Sequence, residues 1–546
     1  MAAADDSLVG EGLAPGRAAG PVWCPPPEPS VAGADLEAAR GAAAARLRDL
    51  AGRSGRAADE AAILEAQADM LDDPSLRRRV AALVPTLGPV AAVDAAAESF
   101  ARELEALDDP YLQARAFDVR EVAGAWRVAL AGAADAMASP PAPSVVVRDN
   151  LSVAWLLAQP PGRVLAIVAR AASRTMHATL VAAGLGIPVV AVRERAMFER
   201  CRGARRLLVD GDTGRVRLEA RGEARPVAAV PMRPGPVRLG RKRIRVSANA
   251  SDPEEVRAGV RAGADGVALV RTEMAFTRAG RLLSVAEQEA LYDAIAEAAA
   301  GRPVTFRTLD LGADKPLRGV TLPTEANPQL GLRGLRLARH LPALLDDQLV
   351  ALARIGQRRP HVRVMFPMVA APEDWQFARE RAAAACGQAA AGAMPALGIM
   401  LEVPSAIAWL PELVAAGVGF LSIGTNDLTQ YVLAQDRERA DLTPPRVPVA
   451  VLRYLGHGLR PALRAGVDIA VCGALAADPL VLPLLVLIGA DELGVPPARV
   501  AATRRALAAL AVRADWRARL RPVLSAHSDA MAERLLLDMA WWLEGG

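Results

Sequence analysis

Aromatic side chains make up only 4% of this 546-residue chain, and lysine occurs at just two positions, Lys242 and Lys315. With apolar residues at 52%, the cores must be built from Ala, Val and Leu rather than from large rings. Arginine serves almost everywhere a cation is wanted, which singles out Lys315. The four cysteines, Cys24, Cys201, Cys386 and Cys472, lie far apart without C-x-x-C spacing, in a chain too long to need disulfide staples; a reducing compartment is expected. No apolar run reaches membrane-spanning length without Gly, Pro or charge, and Asp5 and Asp6 stand where a signal peptide would carry basic residues. The reading is a soluble, cytoplasmic protein without membrane insertion. The 65 basic and 61 acidic residues are spread evenly, so the net charge of +4 carries no clustered basic face and no nucleic-acid partner is expected.

The length predicts two to four compact units. After a short glycine-rich start, residues 34–138 are rich in Ala, Leu, Glu and Arg with helical periodicity, the pattern of a helical bundle. Two of its helices open on the same phrase, Leu71-Asp72-Asp73-Pro74 and Leu107-Asp108-Asp109-Pro110, in which Asp caps and Pro takes the first helical position. Strand formers begin after Ser139-Pro140-Pro141-Ala142-Pro143. A small α/β domain over 144–220 is predicted, with a strand at Val164–Val168, a polar loop holding His177, a helix after it, and a hairpin turned by Asp210-Gly211-Asp212-Thr213-Gly214. Residues 221–240, with four prolines, read as a linker.

From 241 to 546 short apolar strands alternate with Ala-rich helices. Strands are predicted at 243–247, 266–270, 303–307, 362–366, 397–401, 418–422, 468–472 and 491–494, eight strand-helix units that define a (β/α)8 barrel. In such barrels the chemistry sits where strands end. Five of these strands end in Arg271-Thr272-Glu273, Arg307-Thr308-Leu309-Asp310, Glu402, Asn426-Asp427 and Cys472. A single such residue reads as a salt bridge; the set reads as a site. Arg271, Arg307 and Arg437 offer planar forks for a phosphate and a carboxylate on one small ligand. Glu402 and Asp427 offer two hard oxygens for Mg²⁺, and Asn426 a hydrogen bond to the same anion. Cys472 is either a small buried hydrophobe or a group that gives and takes a proton beside the metal. His340, His361, His457 and His527 read as structural or surface residues. His177 reads as a polar residue at a helix start, where the helix N-terminus with Arg174 and Thr175 favours a phosphate.

These motifs resemble, in order and over nearly the whole chain, enzyme I of the phosphoenolpyruvate:sugar phosphotransferase system. The resemblance rests on Arg271-Thr272-Glu273, Arg307 to Gly312, Asn327-Pro328, Gly331 to Arg336, Met365 to Met368, Met400-Leu401-Glu402, Cys472-Gly473 and the very specific string Ser422 to Tyr431. It implies a TIM barrel preceded by a small phosphohistidine domain, begun by residues 1–33 and carrying an inserted helical bundle. It further implies that phosphoenolpyruvate is bound by Arg271, Arg307, Asn426 and Arg437, that Glu402 and Asp427 hold Mg²⁺, and that Cys472 protonates enolpyruvate. The segment Arg174 to His177 resembles the phosphohistidine loop, and Leu64 to Val80 with Leu104 to Arg120 the bundle that docks the phosphocarrier HPr. A homodimer through the barrel is implied as well. The chain departs from the family at Ala172, Ser173 and Met176, where two glycines and a serine are usual, at Ala183, where an arginine is usual, and at Ala474, where a glutamate is common. Two rivals follow. A dikinase or synthase would need a nucleotide-binding domain, for which no glycine-rich phosphate loop exists. A phosphoenolpyruvate-sensing paralogue, signalling without transfer, fits the altered His177 loop.

Overall fold

The computed structural model describes residues 7–14, 16–25, 35–52, 58–105, 110–130, 139–160, 162–172, 177–218, 235–312, 322–323, 325–436 and 444–543. The chain divides into two compact units, Met1–Ala228 and Ala229–Gly546.

The first unit holds one eight-stranded sheet. Its strands are β1 (Ser7–Val9), β2 (Glu11–Ala14), β3 (Arg17–Trp23), β4 (Ser144–Asn150), β5 (Val164–Ala171), β6 (Val189–Ala191), β7 (Arg206–Asp210) and β8 (Arg215–Leu218), in the order β1-β8-β7-β3-β4-β5-β6-β2. Val-rich β4 and β5 run parallel in the centre, and their apolar stretches 145–147 and 166–169 are buried on both faces. Because β4 pairs in parallel with β3, the intervening helices form an insertion between two neighbouring strands. These are α1 (Leu36–Gly52), α2 (Ala58–Asp72), α3 (Pro74–Leu87), α4 (Pro89–Glu105) and α5 (Pro110–Leu130). Asp73 caps α3 as its sequence demands, accepting from the Ser75 and Leu76 amides, while Asp109 lies outside the described residues. The predicted hairpin joins β7 to β8, held by Asp210 Oδ1, which accepts from the amides of Asp212 and Thr213 at 3.0 Å each.

The second unit is a closed parallel barrel of β10 (Lys242–Ala250), β11 (Val267–Arg271), β12 (Val304–Arg307), β13 (Val362–Phe366), β14 (Ala396–Leu401), β15 (Phe420–Gly424), β16 (Asp468–Cys472) and β17 (Glu492–Val495), with β10 pairing both β11 and β17. A short strand β9 (Val237–Leu239) precedes it and folds back antiparallel on β10. Leu269, Met365, Met400, Phe420 and Cys472 form one cluster in the barrel interior. The N-terminal end is closed by charge: Arg245 Nη2 lies 2.7 Å from Asp468 and 3.0 Å from Glu492, and Arg363 reaches the same two carboxylates at 3.1 Å each. Such pairing satisfies groups that would otherwise be costly to bury. It leaves the opposite, C-terminal end for chemistry. No helix among the described residues is long and apolar enough to cross a membrane.

Candidate active site at the barrel mouth

Strand direction delivers the side chains. Arg271 and Arg307 are the last residues of β11 and β12, Cys472 is the last of β16, and Glu402 follows β14 directly. Asn426 and Asp427 do not end a strand: β15 stops at Gly424, and both sit in the first turn of the helix Thr425–Leu433.

Arg307 is the electrostatic centre of the group. Its Nη2 donates to Glu273 Oε1 at 2.5 Å, and its Nη1 lies 3.1 Å from Asp310 Oδ2 and 3.7 Å from the sulfur of Met400. Burial opposes its charge, but Glu273, Asp310 and Glu402 outweigh that cost and hold the guanidinium firmly cationic. Its buried Nε has no protein partner. Arg271 presents an exposed side chain at the adjacent strand end.

Arg333 was legible only as part of a motif, and the structure gives it a role. Its Nε and Nη2 donate to the two oxygens of Asp310 at 3.1 and 2.7 Å, and its Nη1 donates to Asp427 Oδ1 at 3.0 Å and to Gln329. It thereby ties the loop after β12 to the helix after β15. Glu273 and Asp310, likewise read only as parts of strings, are the buried carboxylates that fix the two arginines.

Glu402 is 1% exposed, and its Oε1 accepts from the Met368 amide at 2.8 Å. Met368 makes that bond from φ +59°, a conformation uncommon outside glycine. The other oxygen, Oε2, is buried without a protein partner. Burial, then the charges of Asp427 and Asp310, push the Glu402 carboxyl up to about 8 against the pull of Arg307. Gly424 provides the space beside it: a Cβ there would lie 2.7 Å from Oε2. A buried, partnerless carboxylate oxygen whose acidity is suppressed by a second carboxylate suits a divalent cation. Among the described residues no three His, Cys, Asp or Glu gather as a complete metal cage. Glu402 and Asp427 therefore fit a hard cation that draws its remaining oxygens from substrate and water, as Mg²⁺ does.

Cys472 is 2% exposed, accepts from Ser422 Oγ at 3.2 Å and points its thiol at the Ile423 carbonyl, 3.4 Å away. Burial pushes the thiol up to about 11, while the Ser422 bond and Arg307 pull the other way, so it is a protonated thiol at neutral pH. Gly473 follows at φ +104°. Asn426 Oδ1 accepts from the Ala474 amide at 2.9 Å, an anchor that needs no side chain at 474. Arg437 and Lys315 lie outside the described residues. His340, His457 and His527 are exposed, and His361 sits 3.4 Å from the Ala296 carbonyl, so none joins the group.

In the first unit, His177 is the first residue of the helix His177–Gly184. Ser173, Arg174, Thr175 and Met176 lie outside the described residues. Ala172 is buried, and its carbonyl accepts from Arg193 Nη2 at 3.1 Å.

A closed parallel barrel with guanidinium, carboxylate and thiol groups gathered at its strand C-termini defines a barrel enzyme built for an anionic substrate. Three family matches cover most of the chain: PEP-utilising enzyme, N-terminal, over 9–115; PEP-utilising enzyme, mobile domain, over 140–214; and PEP-utilising enzyme, PEP-binding domain, over 234–512. Relatives include a phosphoenolpyruvate-protein phosphotransferase of Bacillus sp. (strain S), 31% identical over 83% of this chain and 82% of its own length. One of Cupriavidus necator with the same name is 34% identical over 85% of each chain. A multiphosphoryl transfer protein of Xanthomonas campestris is 34% identical over 83% of this chain, which spans 57% of that longer relative. The chain belongs to the PEP-utilising enzyme family, in the group of the phosphoenolpyruvate-protein phosphotransferases.

Proposed function

We propose that this protein transfers the phosphoryl group of phosphoenolpyruvate to His177, releases pyruvate, and passes the phosphate to a histidine of an HPr-like phosphocarrier. The observation that carries the reading is the meeting of Arg307, the partnerless oxygen of Glu402 and the buried thiol of Cys472 at one barrel mouth. Phosphoryl transfer needs mainly positioning, a metal and cations around the migrating group.

In this reading Arg271, Arg307, Asn426 and Arg437 bind and orient phosphoenolpyruvate, while Arg333 and Asp310 keep Arg307 and Asp427 in place. Glu402 and Asp427 would hold Mg²⁺, which when bound neutralises phosphate charge. As the phosphoryl group leaves, the enolate carbon takes the proton of Cys472. The imidazole of His177 is the nucleophile, and the positive end of its helix favours the phosphate it gains. Helices α2 to α5 would dock the carrier, residues 221–240 would serve as the linker of a travelling phosphohistidine domain, and the barrel would form the homodimer contact.

Incubation with labelled phosphoenolpyruvate and Mg²⁺ tests this. The expected result is an acid-labile, base-stable phosphate that His177→Ala removes and that an HPr-like protein accepts. Full labelling of His177→Ala would move the phosphosite elsewhere. Phosphoenolpyruvate bound with Mg²⁺ but never transferred would replace the transferase with a sensor.

A further inference from the structure

At the ends of β11 and β12 lies a buried polar relay that the proposed chemistry does not use directly. Its hub is Gln348, which is fully buried on the core face of the helix Pro342–Arg358 among Leu345, Leu349 and Leu352. A buried amide amid aliphatic neighbours is costly unless each polar atom is satisfied. Every one is. Gln348 Oε1 accepts from the Leu309 amide at 2.8 Å, and Nε2 donates to Thr272 Oγ1 at 3.0 Å and to the Tyr292 hydroxyl at 2.8 Å. The backbone amide of Leu309 can only donate, which fixes the orientation of the Gln348 amide and hence the direction of the whole chain. Thr272 Oγ1, accepting from Gln348, donates onward to the Arg307 carbonyl at 2.8 Å. Tyr292 donates to Gln288 Oε1 at 3.2 Å.

The partners of Gln348 sit next in sequence to the groups that matter. Thr272 lies between Arg271 and Glu273, and Leu309 lies between Thr308 and Asp310. One side chain thus grips the ends of β11 and β12 together, fixing the backbone from which Arg271, Arg307 and the two carboxylate partners of Arg307, Glu273 and Asp310, project.

We propose that Gln348 is a positioning residue for phosphoenolpyruvate: it sets the spacing of Arg271 and Arg307 through Thr272 and Leu309, without touching the substrate. The inference rests on the proposed function. Displacement of charge-stabilising groups by even an ångström penalises transfer far more than it penalises folding.

The test compares Gln348→Met, which keeps the length and loses every bond, with Tyr292→Phe, which leaves the Gln348 bonds to Thr272 and Leu309 in place. Each is titrated calorimetrically with phosphoenolpyruvate and Mg²⁺, followed for single-turnover phosphorylation of His177, and melted. Gln348→Met is expected to weaken phosphoenolpyruvate binding about tenfold and to slow phosphorylation at least as much. Tyr292→Phe is expected to lower the melting temperature while holding both within about twofold. A merely structural hub predicts lower melting temperatures in both variants and unchanged binding and rate per folded molecule in both, and that result overturns the proposal. Should Gln348→Met not fold, Thr272→Val cuts the relay one bond further on in a side chain of the same shape, and carries the same expectation and the same overturning result. If the wild type binds phosphoenolpyruvate but forms no phosphohistidine, the transferase reading fails while the affinity ratio still decides the role of Gln348. If the wild type does not bind phosphoenolpyruvate, both fall.

Discussion

Arg333 Nη1 lies 3.0 Å from Asp427 Oδ1, across 94 residues of sequence, while the rest of the same guanidinium clasps both oxygens of Asp310. One buried cation thus holds a proposed metal ligand and the loop behind Arg307 at once. Removing it takes one cation from two buried carboxylates, of which Asp310 keeps its pairing with Arg307. Arg333→Met is expected to destabilise the barrel by about 3 kcal/mol, the usual cost of breaking a buried ion pair by removing one partner. Mg²⁺ should restore part of the lost melting temperature, because it supplies positive charge to Asp427. Thermal melts with and without Mg²⁺ check this, and a variant as stable as wild type would show that the pair contributes little.

Suppressed acidity at Glu402 makes metal binding depend on pH. With its carboxyl pushed up to about 8 by burial and by Asp427 and Asp310, Glu402 carries a proton in the metal-free protein at neutral pH. A cation binding its oxygen must displace that proton. Mg²⁺ affinity should therefore fall with decreasing pH, by about tenfold per unit below the carboxyl's pKa, and level off above it. Calorimetry in two buffers of different ionisation heat should detect about one proton released per ion on the acid side. Glu402→Gln should abolish Mg²⁺-dependent phosphorylation and this pH slope together while the protein stays folded. A slope that persists in the variant assigns the proton to another group.

Much of the barrel was legible because its strands are Val- and Ile-rich runs punctuated by Gly and polar loops. The strand expected at 362–366 is β13 to the residue. That expected at 418–422 forms two residues later, since Gly417 at φ +81° and the flexible Gly419 belong to the turn before it. Strands β1 to β3 were not legible individually, because β1 and β2 are only three and four residues long and Ala18, Ala19 and Gly20 blur the alternation of β3. Within the site, residues at strand ends could be read, since strand ends are local. The ties among Arg333, Asp310 and Asp427, and the hub at Gln348, join residues distant in sequence, and only barrel closure brings them together. The signal available for Gln348 was a single polar residue in the apolar stripe of its helix.

Gly424 tests the space beside Glu402. Its backbone, at φ −82° and ψ 82°, needs no glycine, yet a Cβ would lie 2.7 Å from Glu402 Oε2, 2.9 Å from its Cβ and 3.1 Å from Met400 Cγ. Gly424→Ala must therefore push the carboxylate aside. The expected outcome is a loss of about 1–3 kcal/mol of stability from overpacking. Mg²⁺-dependent phosphorylation should fall by at least about tenfold, because the displaced oxygen is a proposed ligand. A Mg²⁺ titration of the phosphorylation rate reads this. An unaltered half-saturating Mg²⁺ concentration would remove Glu402 from the metal.

The thiol of Cys472 separates substrate binding from the completion of the reaction. Burial pushes it up to about 11, so it stays protonated through the neutral range and can only give its proton when a strong base, such as an enolate carbon, is formed beside it. As pH rises, this acid is lost only as its pKa is approached; between pH 7 and 9 pyruvate formation should show no decline from this group. Cys472→Ser keeps a donor for the Ile423 carbonyl and an acceptor for Ser422, so the pocket should hold its shape, but an alcohol is a far weaker acid than a thiol. Pyruvate release is expected to fall by about a hundredfold or more, the usual contribution of a positioned acid. Phosphoenolpyruvate affinity should change by no more than about threefold, since the bonds to Ser422 and Ile423 are kept. Pyruvate is followed by coupled reduction to lactate, and affinity by calorimetry on the same preparation. If both fall by the same factor, Cys472 shapes the pocket and the proton comes from elsewhere, with solvent reaching the enolate through the barrel mouth as the next source to test.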